Sequence, residues 1–144
     1  MTHTEKALAL YQAKFNCCQS VLGAFCEDYG LDQKEALRLA CGMGGGVRSG
    51  DVCGAVSGAV MVIGLKYGHN DEADLEKKAE CYQKTIEYTR LFRERYGSIC
   101  CRDLLGYDFS KPEEEAHIQK EGLIWTVCPP IISNAIALLE ELGY

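Results

Sequence analysis

Apolar residues recur at intervals of three and four along almost the whole chain, and the Val/Ile/Thr alternation of a half-buried strand is absent, so the pattern predicts helices throughout. A first helical stretch covers about Thr4 to Tyr29, with an interruption near Phe15-Asn16, where Asn16 can cap a second helix, and a stop at Gly30. Asp32 and Glu35 form a D-x-x-E capping pattern for a helix that turns Ala36, Leu37 and Ala40 inward before Gly42. A Gly-rich run, GMGGGVRSG, precedes a helix from about Asp51 to Tyr67. In that helix Gly54 and Gly58 are four apart with Ala55, Ser57 and Ala59 beside them, a flank thin enough for another helix backbone to approach.

Beyond it, Leu75, Ala79, Tyr82, Ile86, Thr89, Phe92 and Tyr96 mark the longest amphipathic helix, Glu72 to Tyr96, with Gly97 at its end. A short helix over SICCRDLL is assigned Ser98 as cap and Gly106 as stop. A weaker one over PEEEAHIQKE is assigned Ser110 as cap, with Pro112 in its first turn. The last helix is predicted to start at Pro129-Pro130 and to bury Ile132, Ala135, Ile136 and Leu139. The expected architecture is all-α: one domain over residues 1–144, a bundle of about six to eight helices around a buried small-residue central helix.

Composition narrows the partners. With 144 residues, 47% hydrophobic, the chain can bury an ordinary core. Its 21 acidic residues against 15 basic, a net charge of −6, and the lack of any Lys/Arg run leave no footprint for nucleic acid. The N-terminal segment MTHTEKALALYQ does not have the pattern of a secretory signal, which makes the cytoplasm the expected location. Val52 to Leu65 is shorter than the roughly 20 residues of a membrane span, and Gly122 to Leu139 is interrupted by Pro129 and Pro130. Both are expected to be buried helices rather than membrane insertions.

Candidate chemistry rests on cysteine. There are nine, an odd number, and no C-x-x-C occurs, which removes the thioredoxin-type active site, the zinc ribbon and the covalent haem motif. Cys17 follows the cap Asn16, Cys53 falls in a first turn after Asp51, Cys101 lies three residues after Ser98, and Cys128 precedes Pro129. All four therefore fall at predicted helix starts, where backbone N–H groups and the helix dipole lower a thiol pKa from about 8.5. These starts are expected to converge on one site, with Cys53 as the reactive thiol, although Asp51 opposes the dipole there.

Cys26, Cys41 and Cys81 lie along helices away from their starts and are assigned to packing. Of the vicinal pairs, Cys17-Cys18 and Cys100-Cys101, only one member each can face a common site, because neighbours on a helix point about 100° apart. The Gly-rich loop is not a P-loop, since Asp51 and Val52 stand where Lys and Ser/Thr are needed. It is read as a tight turn, with Arg48 able to bind an anion. His3, His69 and His117 are scattered without metal-site spacing, and Tyr11 and Trp125 are assigned to the core or its rim.

The segments CGAVSG (Cys53 to Gly58), FNCCQSVLGAF, GSICCRDLLG and TVCPPIISNAIALLEE resemble, over nearly the whole chain, the C_GCAxxG_C_C family of four-cysteine redox-active proteins. The resemblance places the family's four cysteines on Cys17, Cys53, Cys101 and Cys128. It implies thiol–disulfide or electron-transfer chemistry at those residues and, through a link to transporter genes, an unidentified redox partner. Two further readings use the same chain: a metal ion or iron–sulfur cluster held by Cys17, Cys53, Cys101 and Cys128, since four thiolates match a Cys₄ site in number and softness, and a non-catalytic helical interaction module, with a homodimer built on the Gly54/Gly58 seam.

Overall fold

A handful of capping side chains decides where the helices begin. Thr2 Oγ1 accepts from the Glu5 N–H at 3.1 Å and opens α1 (His3–Gln12). Asn16 and Gln19 form a reciprocal capping box, Asn16 Oδ1 accepting from the Gln19 N–H and Gln19 Oε1 from the Asn16 N–H, both at 2.9 Å, so that α2 (Cys17–Phe25) begins at Cys17. Asp32 caps α3 (Gln33–Ala40) through the Glu35 N–H. The computed structural model describes all 144 residues. The remaining helices are α4 (Gly54–Tyr67), α5 (Leu75–Tyr96), α6 (Cys101–Leu105), α7 (Pro112–Lys120), α8 (Leu123–Thr126) and α9 (Cys128–Glu141).

Because α8 runs through Val127, itself in the right-handed helical region, into α9, the nine segments make eight rods. The all-α expectation holds. The sole β-type contact is an antiparallel bridge between Val52 and Cys100.

The bundle is centred on α2 and α4, with α1, α3, α5 and α9 around them. Close approach is possible because α4 presents glycine. A Cβ at Gly54 would stand 3.0 Å from the Cys18 nitrogen and one at Gly58 3.0 Å from the Cys18 carbonyl oxygen. The small-residue seam is therefore filled by α2 of the same chain, which removes the surface on which a homodimer was expected. Val21, Phe25, Val56, Val62, Ile63, Ile132 and Ile136 close a continuous core around this pair.

Several boundaries differ from expectation. α4 starts at Gly54, leaving Cys53 as its N-cap. Cys100, not Ser98, stands at the N-cap of α6, and Lys111, not Ser110, at that of α7. Pro129 and Pro130 do not begin the last helix: they sit just inside α9, after α8 has already formed a turn. By length and composition alone, Leu123–Glu141 is long and apolar enough to cross a membrane. Within the fold it places Ile132, Ala135, Ile136, Leu138 and Leu139 in the core.

The largest departure concerns α5. Leu75, Tyr82 and Ile86, expected inward, are 64%, 59% and 56% exposed, whereas Tyr88 and Phe92 are buried. The inward face passes through Cys81, Thr85, Tyr88, Phe92 and Tyr96, and the Tyr88 hydroxyl donates to the Ala135 carbonyl of α9 at 2.7 Å. A buried phenol with that partner available is the better fit to the core, since its polar end is satisfied.

A candidate functional site built on four cysteines

Each of the four singled-out cysteines is delivered by its own local structure. Asn16 fixes Cys17 at the first position of α2, and its amide also donates to the Cys41 carbonyl at 2.8 Å, tying the helix start to the Gly-rich segment. Around the Val52–Cys100 bridge, the Cys53 N–H donates to the Ile99 carbonyl at 2.7 Å and the Cys101 N–H to the Asp51 carbonyl at 2.6 Å. Residues one step either side of a bridge share the opposite face from the bridged pair. Cys53 and Cys101 therefore turn the same way, and Cys100 turns away. Cys128 opens α9 where α8 ends.

All four line a single cavity of about 530 Å³, together with Tyr11, Lys14, Asn16, Arg48, Phe109 and Trp125 among others. Cys18, Cys26, Cys41, Cys81 and Cys100 do not line it. Cys18 is fully buried, with its sulfur 3.9 Å from that of Met61, and the Cys26 thiol donates to the Gly23 carbonyl at 3.5 Å. No group of three His, Cys, Asp or Glu side chains is arranged to hold a metal ion. The four thiols, as placed, do not make a metal-ligand set.

The helix-start effect is overridden at three of the four thiols, by burial at Cys53 and Cys101 and by the interaction with Cys128 together with burial at Cys17. Cys53, only 5% exposed, is pushed up from 9.0 to about 11, chiefly by desolvation, although the backbone N–H groups of Ala55 and Val56 pull the other way. Cys101 is pushed to about 12 by burial and by the neighbouring Cys53 and Cys128, with Arg48 acting against them. Cys17 lies well above its ordinary value because its thiol hydrogen-bonds Cys128 and is buried.

Cys128 alone is lowered. Hydrogen bonding from Cys17 outweighs its burial, and Tyr11 adds a further hydrogen bond in the same direction. The helix dipole is not the cause: α8 continues into α9, so the amide end is not open, and the Val127 N–H is already used on the Leu123 carbonyl at 2.8 Å. Of the four thiols, Cys53 is shifted upward and Cys128 downward. Asp51 has little influence on Cys53, since its carboxylate pairs with Arg102 at 3.0 Å on the surface.

Tyr11 links this chemistry to the fold. Its hydroxyl donates to the Ile124 carbonyl at 2.7 Å, and it lines the same cavity as Cys128, whose thiolate it favours. A phenol carries one hydrogen, so it can serve the carbonyl while Cys128 is a thiol and the sulfur once Cys128 is a thiolate. Tyr11, assigned from sequence to the core or its rim, has no local signal for this role, because its partners are more than a hundred positions away in the chain.

The Gly-rich segment forms the cavity's other wall. Gly45, Gly46, Val47 and Arg48 have φ of 65°, 64°, 60° and 55°, a full turn of left-handed backbone. At Gly46 a Cβ would meet the Asp51 backbone at 2.5 Å, so glycine is required there. Val47, β-branched at positive φ, is strained by about 1–3 kcal/mol. This turn sets the Arg48 guanidinium 4.5 Å from the centre of the Phe109 ring.

An all-α bundle that collects four cysteines from separate segments into one cavity defines a four-cysteine helical protein. The chain belongs to the C_GCAxxG_C_C family, whose model carries the description "Putative redox-active protein" and matches residues 15–142. Neither the curated proteins nor the solved structures gave a match to it.

Proposed function

We propose that this protein is a dithiol–disulfide redox protein in which Cys128 is the nucleophile and Cys17 the resolving thiol. The observation that carries this reading is the gathering of Cys17, Cys53, Cys101 and Cys128 on one cavity, where Cys17 and Cys128 shift each other's ionisation in opposite directions. Family membership supports the redox class. In the first step the Cys128 thiolate attacks one sulfur of a disulfide RS–SR′; the Cys128–SR bond forms, the RS–SR′ bond breaks and R′S⁻ leaves. Cys17 then gives its proton to the departing R′S⁻, and its sulfur attacks Cys128 Sγ. The Cys17–Cys128 disulfide closes and RS⁻ is expelled. Two electrons pass from the protein pair to the substrate, and an external thiol reductant reverses the protein half.

Tyr11 stabilises the starting thiolate, and Cys17 does so as a donor until it is needed as the second nucleophile. The test is trapping. With a small neutral disulfide, wild-type protein should release both halves and end as an internal disulfide; Cys17→Ser should stop as a mixed disulfide on Cys128; Cys128→Ser should form no mixed disulfide in the cavity. Equal reaction of wild type and Cys128→Ser would remove Cys128 from the role of nucleophile.

A further inference from the structure

The two cations of the cavity, Lys14 and Arg48, sit in a related way on different parts of its wall. Each has left-handed backbone, at φ 77° and 55°, and each is held near an aromatic ring, Lys14 Nζ at 6.0 Å from the Trp125 centroid and Arg48 at 4.5 Å from that of Phe109. Besides Val47 they are the only non-glycine residues of the chain at positive φ, a conformation that persists only where surroundings impose it and that gathers at ligand clamps. Arg48 has one acidic neighbour, Glu115, at 3.7 Å with both side chains exposed, a weak pair that an incoming anion can displace. Glu115 is the only acidic residue of the lining, so two cations face one carboxylate in a chain whose overall charge is −6.

Three of the four thiols, the proposed nucleophile Cys128 among them, are recessed. Cys53, Cys101 and Cys128 are 5%, 9% and 9% exposed, out of reach of a disulfide fixed on the surface of a folded protein, whereas about 530 Å³ suits a small molecule. We infer that the substrate of this site is a low-molecular-weight disulfide bearing carboxylates, its negative groups held by Lys14 and Arg48 at the cavity wall while its sulfurs reach Cys128. The inference rests on the dithiol reading above and names its substrate class. The exchange balances as already written, with RS and R′S now anionic thiols.

The experiment compares three disulfides of similar size, 3,3′-dithiodipropionate (dianion), bis(2-hydroxyethyl) disulfide (neutral) and cystamine (dication). Each rate with the reduced protein is divided by the rate of the same disulfide with free 2-mercaptoethanol, which removes intrinsic reactivity. The normalised rate for the dianion should exceed that for the dication by about tenfold or more at low ionic strength, as expected for charge steering into a cleft. That ratio should shrink as salt is added, and it should fall below about threefold in the double variant Lys14→Gln/Arg48→Gln. A ratio near one or in favour of cystamine in wild type overturns the inference while leaving the dithiol reading in place, as does a dianion preference that survives both salt and the double variant. Failure of all three disulfides to oxidise the protein overturns both.

Discussion

The Tyr11 hydroxyl donates to the Ile124 carbonyl across 2.7 Å, joining α1 to α8 immediately before the turn that presents Cys128. Through this bond a residue of the first helix is held in the cavity that Cys128 lines, where it favours ionisation of that thiol. Stabilising a thiolate at neutral pH depends on such donors, since burial works against the charge.

Tyr11→Phe should therefore slow the reaction of Cys128 with a neutral disulfide by about tenfold at neutral pH, the usual scale for a hydrogen bond to a charged group. The sign follows from the lowered pKa. Removing a donor that favours the thiolate raises the value, so the midpoint of the rate-against-pH curve moves alkaline and the two proteins converge once both are ionised. An unchanged midpoint would show that Tyr11 serves only to tie α1 to α8.

Gly58→Ala should destabilise the fold by about 1–2 kcal/mol. The added Cβ meets the Cys18 carbonyl oxygen at 3.0 Å and the Val21 Cβ at 3.1 Å, and crowding of this kind exceeds the roughly 1 kcal/mol gained from helix propensity. Gly64→Ala, six positions further along α4 with nothing within 4 Å of its new Cβ, should instead stabilise by about 0.5–1 kcal/mol. Thermal melts of the two variants give the contrast; equal shifts would mean that the α2–α4 seam is looser than described.

At alkaline pH the buried thiols should cost stability. Cys53 ionises near 9 when the chain is unfolded and at about 11 when folded, so the unfolded chain loses its proton first. Stability from this residue is complete below pH 9 and is lost as pH rises through 11, a change of about 3 kcal/mol. Urea titrations between pH 8 and 11 should show a steeper decline for wild type than for Cys53→Ala. Parallel declines would mean that Cys53 is more solvated than its burial indicates.

Much of the fold is legible in the sequence because its signals are local. Asn16, Asp32, Gly30, Gly97 and Gly106 act on their own turns, and each stands where the chain changes course. The inward face of α5 is not local. Leu75, Tyr82 and Ile86 satisfy helical spacing as well as Cys81, Tyr88 and Phe92 do, and the choice between them is made by α4 and α9, which lie elsewhere in the chain. Cys17, Cys53 and Cys101 follow a readable rule, the placement of thiols at helix starts, whereas Cys128 lies inside the continuous α8–α9 rod and is brought to them by the tertiary fold. The relative acidity of the four follows no such rule, because burial at Cys53 and the hydrogen bonds at Cys128 come from residues distant in sequence. The Val52–Cys100 bridge, which orients Cys53 and Cys101, has no alternating pattern to reveal it, being a single pair.

The most direct test of the central claim is disulfide mapping on protein oxidised by a limiting amount of small disulfide, alkylated and digested. The account predicts a Cys17–Cys128 linkage, with Cys53 and Cys101 recovered as alkylated thiols. A Cys53–Cys101 linkage, a pairing through Cys18 or Cys100, or no internal disulfide at all would contradict it.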